Sequence, residues 1–153
     1  AVQQRGKYTG NTSGYYCADR FYTNMSTDGA LSISGSTNKP DGFGYSTKWT
    51  CSTADTSVAA SHYSIIQYKF EGQDIQDFAK GSSSAKQFAV SFWVKSPKTG
   101  THILELQDGD NTRNISKAYT VSSADTWEKK ELIILFYCLI TYLIWIFLVT
   151  SVT

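Results

Sequence analysis

The sequence predicts an all-β fold: an antiparallel two-sheet β-sandwich with one short helix, formed by residues 1–131. Segments with alternating apolar and polar residues are separated by turn residues, and 11 glycines accompany many Ser and Thr but only 2 prolines. Such a series of short strands and turns is typical of a sandwich or barrel. At 153 residues, the chain is long enough for one such domain, and a second sizeable core would be hard to fit in.

The clearest strand covers residues 88–94. Its alternation places four apolar side chains on one face, which we expect to be buried between the sheets: Phe88, Val90, Phe92 and Val94. A turn at residues 95–100 then predicts a hairpin with residues 102–106, and residues 115–121 would complete a three-stranded meander. Further strands are expected near residues 30–34, 45–51 and 62–70 and from Trp127 onward. A short helix is expected around Ile75, Phe78 and Ala79, closed by Gly81.

Charge and chemistry narrow the function classes. A formal net charge of +1 provides no field to attract nucleic acid. The two histidines, His62 and His102, have no metal-ligand spacing, and no G-x-S-x-G motif is present. Three carboxylates lie around the short helix, where capping and exposure account for them: Glu71, Asp74 and Asp77. Asp108 and Asp110 lie together in a turn, but the later Glu of an EF-hand loop is lacking, so an ordinary β-turn is expected there. We therefore expect no enzyme, no catalytic residue, no metal ligand and no cofactor.

Three cysteines are widely spaced along the chain: Cys17, Cys51 and Cys138. They lack the close pairs of a zinc or redox site. Two alternatives stay open, namely small buried hydrophobic residues or a disulfide between Cys17 and Cys51. The start of the chain, AVQQRGKY, carries no signal peptide and resembles the cut edge of a longer product.

The end of the chain departs from the rest. Residues 132–152 contain no charged residue. This segment has the length and hydropathy of a transmembrane helix. Alternatively, the first few residues form a core strand, or a frameshift has replaced the natural end of the domain. We expect an apolar tail over residues 132–153, and membrane contact only if that tail is genuine.

Aromatic residues are the candidates for ligand binding, because a sugar ring stacks on an exposed aromatic face. The predicted ligand-binding residues are Trp49, Tyr45, Tyr15 and Tyr16. Tyr45 and Trp49 are four residues apart in one predicted strand, so they would share a face and form a continuous platform. If that face is the buried one, the platform becomes core instead. Trp93 and Trp127 lie within strand patterns and are expected to be core or sheet-packing residues.

A series of short motifs resembles a known family. In order along the chain they are Gln4-Arg5-Gly6, Tyr16 with Asp19-Arg20-Phe21, Phe70-Glu71-Gly72, Gly81, Ser91 to Ser96, Thr99-Gly100-Thr101 and Thr126-Trp127-Glu128. Their order and spacing over residues 3–131 resemble the jelly-roll domain of marine bacteriophage tail and virion structural proteins, which is similar in fold to carbohydrate-binding modules. The family pattern would continue after Trp127 with a polar stretch rich in Gly and Asp, which this chain lacks.

The resemblance implies an extracellular, non-enzymatic module on a virion surface, from a tail fibre or a related structural protein. It implies other virion subunits and a host surface glycan as partners, and it allows a structural calcium. Two other functions stay open: a purely structural spacer that joins subunits, and a glycan-binding accessory domain of a secreted bacterial enzyme. Fold alone does not separate these three functions.

Overall fold

The computed structural model describes residues 5–79, 82–109 and 113–134, and the backbone of residues 145–149. The strands are β1 (Tyr8–Gly10), β2 (Gly14–Tyr15), β3 (Phe21–Ser26), β4 (Ala30–Ser36), β5 (Ser46–Thr53), β6 (Tyr63–Lys69), β7 (Phe88–Val94), β8 (Gly100–Gln107), β9 (Asn114–Val121), β10 (Glu128–Ile134) and β11 (Trp145–Val149). The chain divides into two compact units, one built on the residues up to Tyr68 and one on those from Lys69 onward.

The first unit contains two groups of antiparallel strands. In one group the order is β1-β4-β5, and in the other β3 pairs with both β2 and β6. Alternation buries every second residue of the central strands, as at Leu31 and Ile33 of β4 and at Thr23 and Met25 of β3. Ile66 of β6 is buried as well. The period of two therefore gives each group of strands one buried face.

The second unit encloses a hydrophobic core between two pairs of strands. β7 runs antiparallel to β10, from Phe88 opposite Ile134 to Val94 opposite Glu128. β8 and β9 form a hairpin, and β11 lies next to β8. The buried residues of this core are Ile75, Leu104, Leu106, Tyr119, Val121 and Ile134.

The four apolar side chains of β7 lie on one face, as predicted. They pack against the core of the second unit and are half-buried, whereas the three residues between them are exposed. Phe92 meets Tyr119 edge to face with ring centroids 5.1 Å apart, which is a favourable aromatic geometry. Burial also raises the pKa of Tyr119 to about 12.

The predicted meander is wrong in its first step. The partner of β7 is β10, and β8 pairs with β9 instead. Residues 95–99 therefore carry the chain from one pair of strands to the other. A turn-rich segment has the same composition in a hairpin and in a crossover, so the sequence does not distinguish the two.

The short helix is present. α1 covers Gly72–Ile75 and continues as a 3₁₀ turn over Gln76–Phe78, with Ile75 in the core. Ala79 ends the turn in the left-handed conformation, and its N–H donates to the carbonyl of Gln76. The predicted end at Gly81 lies outside the described residues. The prediction of an all-β chain with antiparallel sheets and one short helix is confirmed.

β10 continues three residues beyond the predicted domain end, to Ile134, which is fully buried. The rest of the predicted apolar tail lies outside the described residues, apart from the backbone of β11. Among the residues that the structure describes, no helix has the length and hydropathy needed to cross a membrane.

Cys17 is buried and Cys51 is exposed on β5, and both thiols are free. The alternative of a disulfide between them is therefore not realised. Burial raises the pKa of the Cys17 thiol.

Candidate functional site

The loop before β5 presents two aromatic rings to solvent. Phe43 is 51% exposed and Tyr45 is 69% exposed. Gly42 adopts a φ of +83°, and a side chain on Gly44 would meet no atom within 4 Å. Glycines on both sides of Phe43 thus leave its ring unshielded, and a φ of this sign favours glycine.

Hydrogen bonds hold this loop at both ends. The N–H of Phe43 donates to the carbonyl of Pro40 at 3.3 Å, and Pro40 is buried. The hydroxyl of Ser46 donates to the carbonyl of Asn38 at 2.6 Å. The loop of residues 41–45, called the aromatic loop below, therefore displays its two rings from fixed ends.

Trp49 is placed differently from Tyr45. Trp49 lies opposite Ile33 in the β4–β5 ladder, and Ile33 is fully buried. Opposed residues of an antiparallel pair point to the same face, so the indole of Trp49 faces the buried side. Its Nε1 atom is buried without a hydrogen-bond partner among the described residues. Tyr45 precedes the first residue of β5, so the shared strand face expected for these two residues does not exist.

Tyr15 is exposed on β2 and belongs to an aromatic group at one edge of the first unit. It lies opposite Tyr22 in the β2–β3 ladder, and the two rings meet edge to face at 5.0 Å. The guanidinium of Arg5 lies 6.0 Å from the centre of the Tyr15 ring, and Arg5 also pairs with Asp19 at 3.8 Å.

Tyr16 is committed to internal packing. Its ring stacks on Tyr8 with centroids 3.6 Å apart and planes 6° from parallel. Its hydroxyl donates to the carbonyl of Thr12 at 2.9 Å, and the hydroxyls of Tyr8 and Thr12 are 2.6 Å apart. Burial raises the pKa of Tyr16. The predicted pair therefore divides, with Tyr15 exposed and Tyr16 half-buried in a stack.

Glycine makes room for this stack at two positions. A Cβ atom on Gly10 would lie 2.5 Å from the hydroxyl of Tyr8, and one on Gly14 would lie 2.8 Å from the Cζ atom of Tyr16. The signal that could have revealed the stack is the sequence pattern of Tyr8, Gly10, Gly14 and Tyr16, symmetric about Thr12.

Two carboxylates and an imidazole, contributed by the β3–β4 turn and by the loop between β5 and β6, meet in the first unit. One possible ligand atom from each of Asp28, Asp55 and His62 lies within 4.8 Å of the others. The Oδ2 atom of Asp55 accepts from the hydroxyl of Thr27 at 2.8 Å and from Nδ1 of His62 at 2.7 Å. Its Oδ1 atom accepts from the N–H of Ser57 at 3.0 Å.

Hydrogen bonds from Thr27, Ser57 and His62 hold the pKa of Asp55 below its usual value. The carboxylate joins the β3–β4 turn to the loop between β5 and β6. These bonds give the group a structural role. Sequence reasoning missed this group because its members belong to two separate loops.

Trp93 is 39% exposed, so of the two positions expected for it, in the core or packed on a sheet, the core position is wrong. Its neighbours Phe92 and Val94 take the inward positions of β7, which leaves Trp93 on the outer face. Trp127 is half-buried just before β10.

The carboxylates near the short helix do not line the pocket that the described residues form beside it. Glu71 accepts a hydrogen bond from Gln73 at 2.7 Å, and Asp74 and Asp77 are exposed. A pocket of about 250 Å³ lies beside this helix, and its walls are mostly apolar: Phe70, Ile75, Phe78, Phe88, Ala89, Val90 and Ser91.

The chain was compared with protein families, characterised proteins and solved structures. No protein family, no characterised protein and no solved structure matches the chain.

Proposed function

We propose that the chain is a non-enzymatic surface module of a virion, from a tail fibre or a related structural protein, that binds host glycans through the aromatic loop. The exposure of Phe43 and Tyr45 carries this proposal. A jelly-roll connection of the strands, as in the family that the motifs resemble, is part of it. The module performs no catalytic step, and its contribution to infection is adhesion outside the cell.

The chemistry of the loop suits a sugar. The apolar face of a pyranose stacks on an aromatic ring, while its hydroxyls require polar partners at the rim. Polar side chains are available beside the rings, because Asp41 lies in the loop and Lys48 projects from β5, both exposed. Neither Phe43 nor Tyr45 contributes to the buried core. Packing within the fold therefore does not explain why aromatic residues stand at these exposed positions.

Glycan-array binding of the wild-type chain and of Tyr45→Ala and Phe43→Ala tests the proposal. Loss of a stacking ring should weaken binding by about tenfold, or about 1.4 kcal/mol. Tyr45→Phe should retain most of the affinity, because it keeps the ring. Val58→Ala is a matched control, since Val58 is 73% exposed in another loop of the same unit.

Binding that survives both alanine substitutions unchanged would remove the aromatic loop as the site. A wild-type chain that binds no glycan on the array would favour the structural spacer. Binding only to glycans of a plant or microbial storage polysaccharide, and not to those of a host surface, would favour an accessory domain of a secreted enzyme.

A further inference from the structure

The outer face of the β7–β10 pair, in the second unit, carries a group of exposed side chains with mixed chemistry. Trp93 lies opposite Lys129 in this ladder, and Ser91 lies opposite Glu131. Opposed residues share a face, so the indole, the hydroxyl and the two charged groups lie on the same side of the pair. All four residues are exposed.

The two charges of this face neutralise each other. The ammonium of Lys129 lies 2.5 Å from a carboxylate oxygen of Glu131. Hydrogen bonding from Lys129 and its charge hold the pKa of Glu131 below the usual value, so the carboxylate is ionised near neutral pH. The face therefore combines one aromatic ring with donors and acceptors, has exposed Ile133 at its far end opposite Ala89, and has no net charge.

We propose that this outer face is a second glycan-binding site, which takes an uncharged saccharide chain with one sugar ring stacked on Trp93. The inference rests on the proposed glycan-binding function and extends it to a surface with no residue in common with the aromatic loop. Ser91, Lys129 and Glu131 hydrogen-bond the hydroxyls of the adjacent sugar residue. A saccharide chain that runs along β7 meets the indole ring and then the polar groups, because alternate residues of a strand lie roughly 6.8 Å apart.

Polarity favours a saccharide over an apolar protein partner here. An apolar partner would bury the Lys129–Glu131 pair without replacing its water, and desolvation of an ion pair is costly. Saccharide hydroxyls both donate and accept, so they satisfy the two groups as water does. Zero net charge likewise favours neutral sugars over acidic ones, which would meet the Glu131 carboxylate.

Nuclear magnetic resonance of the ¹⁵N-labelled full chain tests the site. Cellohexaose and mannohexaose serve as neutral probes, and sialyllactose serves as an acidic one. The indole N–H signal of Trp93, assigned by its loss in Trp93→Phe, should shift and saturate with a neutral probe. The amide signals of Ser91 and Glu131 should shift with it in the wild type, shift less in Glu131→Gln, and stay unmoved in Trp93→Ala.

Two variants distinguish binding at the outer face from binding at the aromatic loop. In Tyr45→Ala the shifts around Trp93 should persist, because the two surfaces share no residue, whereas Trp93→Ala should leave loop binding intact. Persistence of the Trp93 shifts after loss of all loop binding would support this site even if the aromatic loop proved inactive. Ala89→Ser, on the same face of β7, is the control for a general surface change.

Unmoved Trp93, Ser91 and Glu131 signals with both neutral probes would overturn the inference. Stronger shifts with sialyllactose than with the neutral probes would overturn the ligand class. Loss of the Trp93 shifts in Tyr45→Ala would show that the two surfaces are not independent, and would overturn the second site as well.

Discussion

Phe92 and Trp93 are neighbours in β7 with opposite environments: Phe92 packs against Tyr119 in the core of the second unit, whereas Trp93 is 39% exposed. We expect Phe92→Ala to lower the free energy of unfolding by about 3 kcal/mol, near the low end for a large aromatic because Phe92 is only half-buried. Trp93→Ala should cost clearly less than Phe92→Ala, because a large part of the indole is already in solvent. Urea denaturation of both variants measures the difference, and equal losses would contradict the assignment of faces.

The Asp55 carboxylate gives the first unit a stability that depends on pH. Its pKa is lowered in the folded state, so its contribution is present above about pH 4 and is lost as the pH falls through the folded pKa. Asp55→Asn should therefore melt at a lower temperature than the wild type at pH 7. The difference between the two melting temperatures should become smaller as the pH falls toward 2.

Melting curves between pH 2 and pH 7 test this, with Asp77→Asn as the control because Asp77 is an exposed aspartate of the other unit. If the difference in melting temperature between wild type and Asp55→Asn stays constant across the pH range, the Asp55 side chain stabilises the first unit through its shape and not through its charge.

The Tyr8–Tyr16 stack depends on the absence of a side chain at position 14. A methyl group there would displace the Tyr16 ring, so Gly14→Ala should cost about 1 kcal/mol, the scale of one aromatic pair. In a Tyr16→Ala background the same substitution should cost much less, since no ring remains to displace.

A double-mutant cycle from denaturant unfolding measures that coupling. Gly44→Ala is the control, because a Cβ there meets nothing within 4 Å. If the effects of Gly14→Ala and Tyr16→Ala on the free energy of unfolding are additive, Gly14 stabilises the fold in some way other than leaving room for the Tyr16 ring.

The two described cysteines should differ sharply toward a thiol reagent. Cys51 is exposed, whereas Cys17 is fully buried and burial raises its pKa. Because the thiolate is the reacting form, the native chain should label rapidly at Cys51 and at Cys17 only after unfolding. Mass spectrometry of a Cys138→Ser variant, before and after addition of guanidinium chloride, reads out both sites. Rapid labelling of native Cys17 would contradict its burial.

The sequence by itself determined local structure. Alternation of apolar residues in 88–94 located β7 and chose its buried face, and turn residues separated most of the other strands correctly. These signals are local because side-chain direction in a strand follows from the backbone period alone. Of the four aromatic residues predicted to bind a ligand, Tyr15 and Tyr45 are exposed, although the strand face expected to join Tyr45 to Trp49 does not exist.

Only the tertiary structure decided which segments meet. It paired β7 with β10 instead of β8, turned Trp49 toward buried Ile33, and joined Asp55 to Thr27 of the β3–β4 turn. It also left Phe43 and Trp93 in solvent, although both are large apolar residues. The physical reason is that burial and pairing depend on contacts between distant parts of the chain, and a period of two carries no information about the partner on the other side.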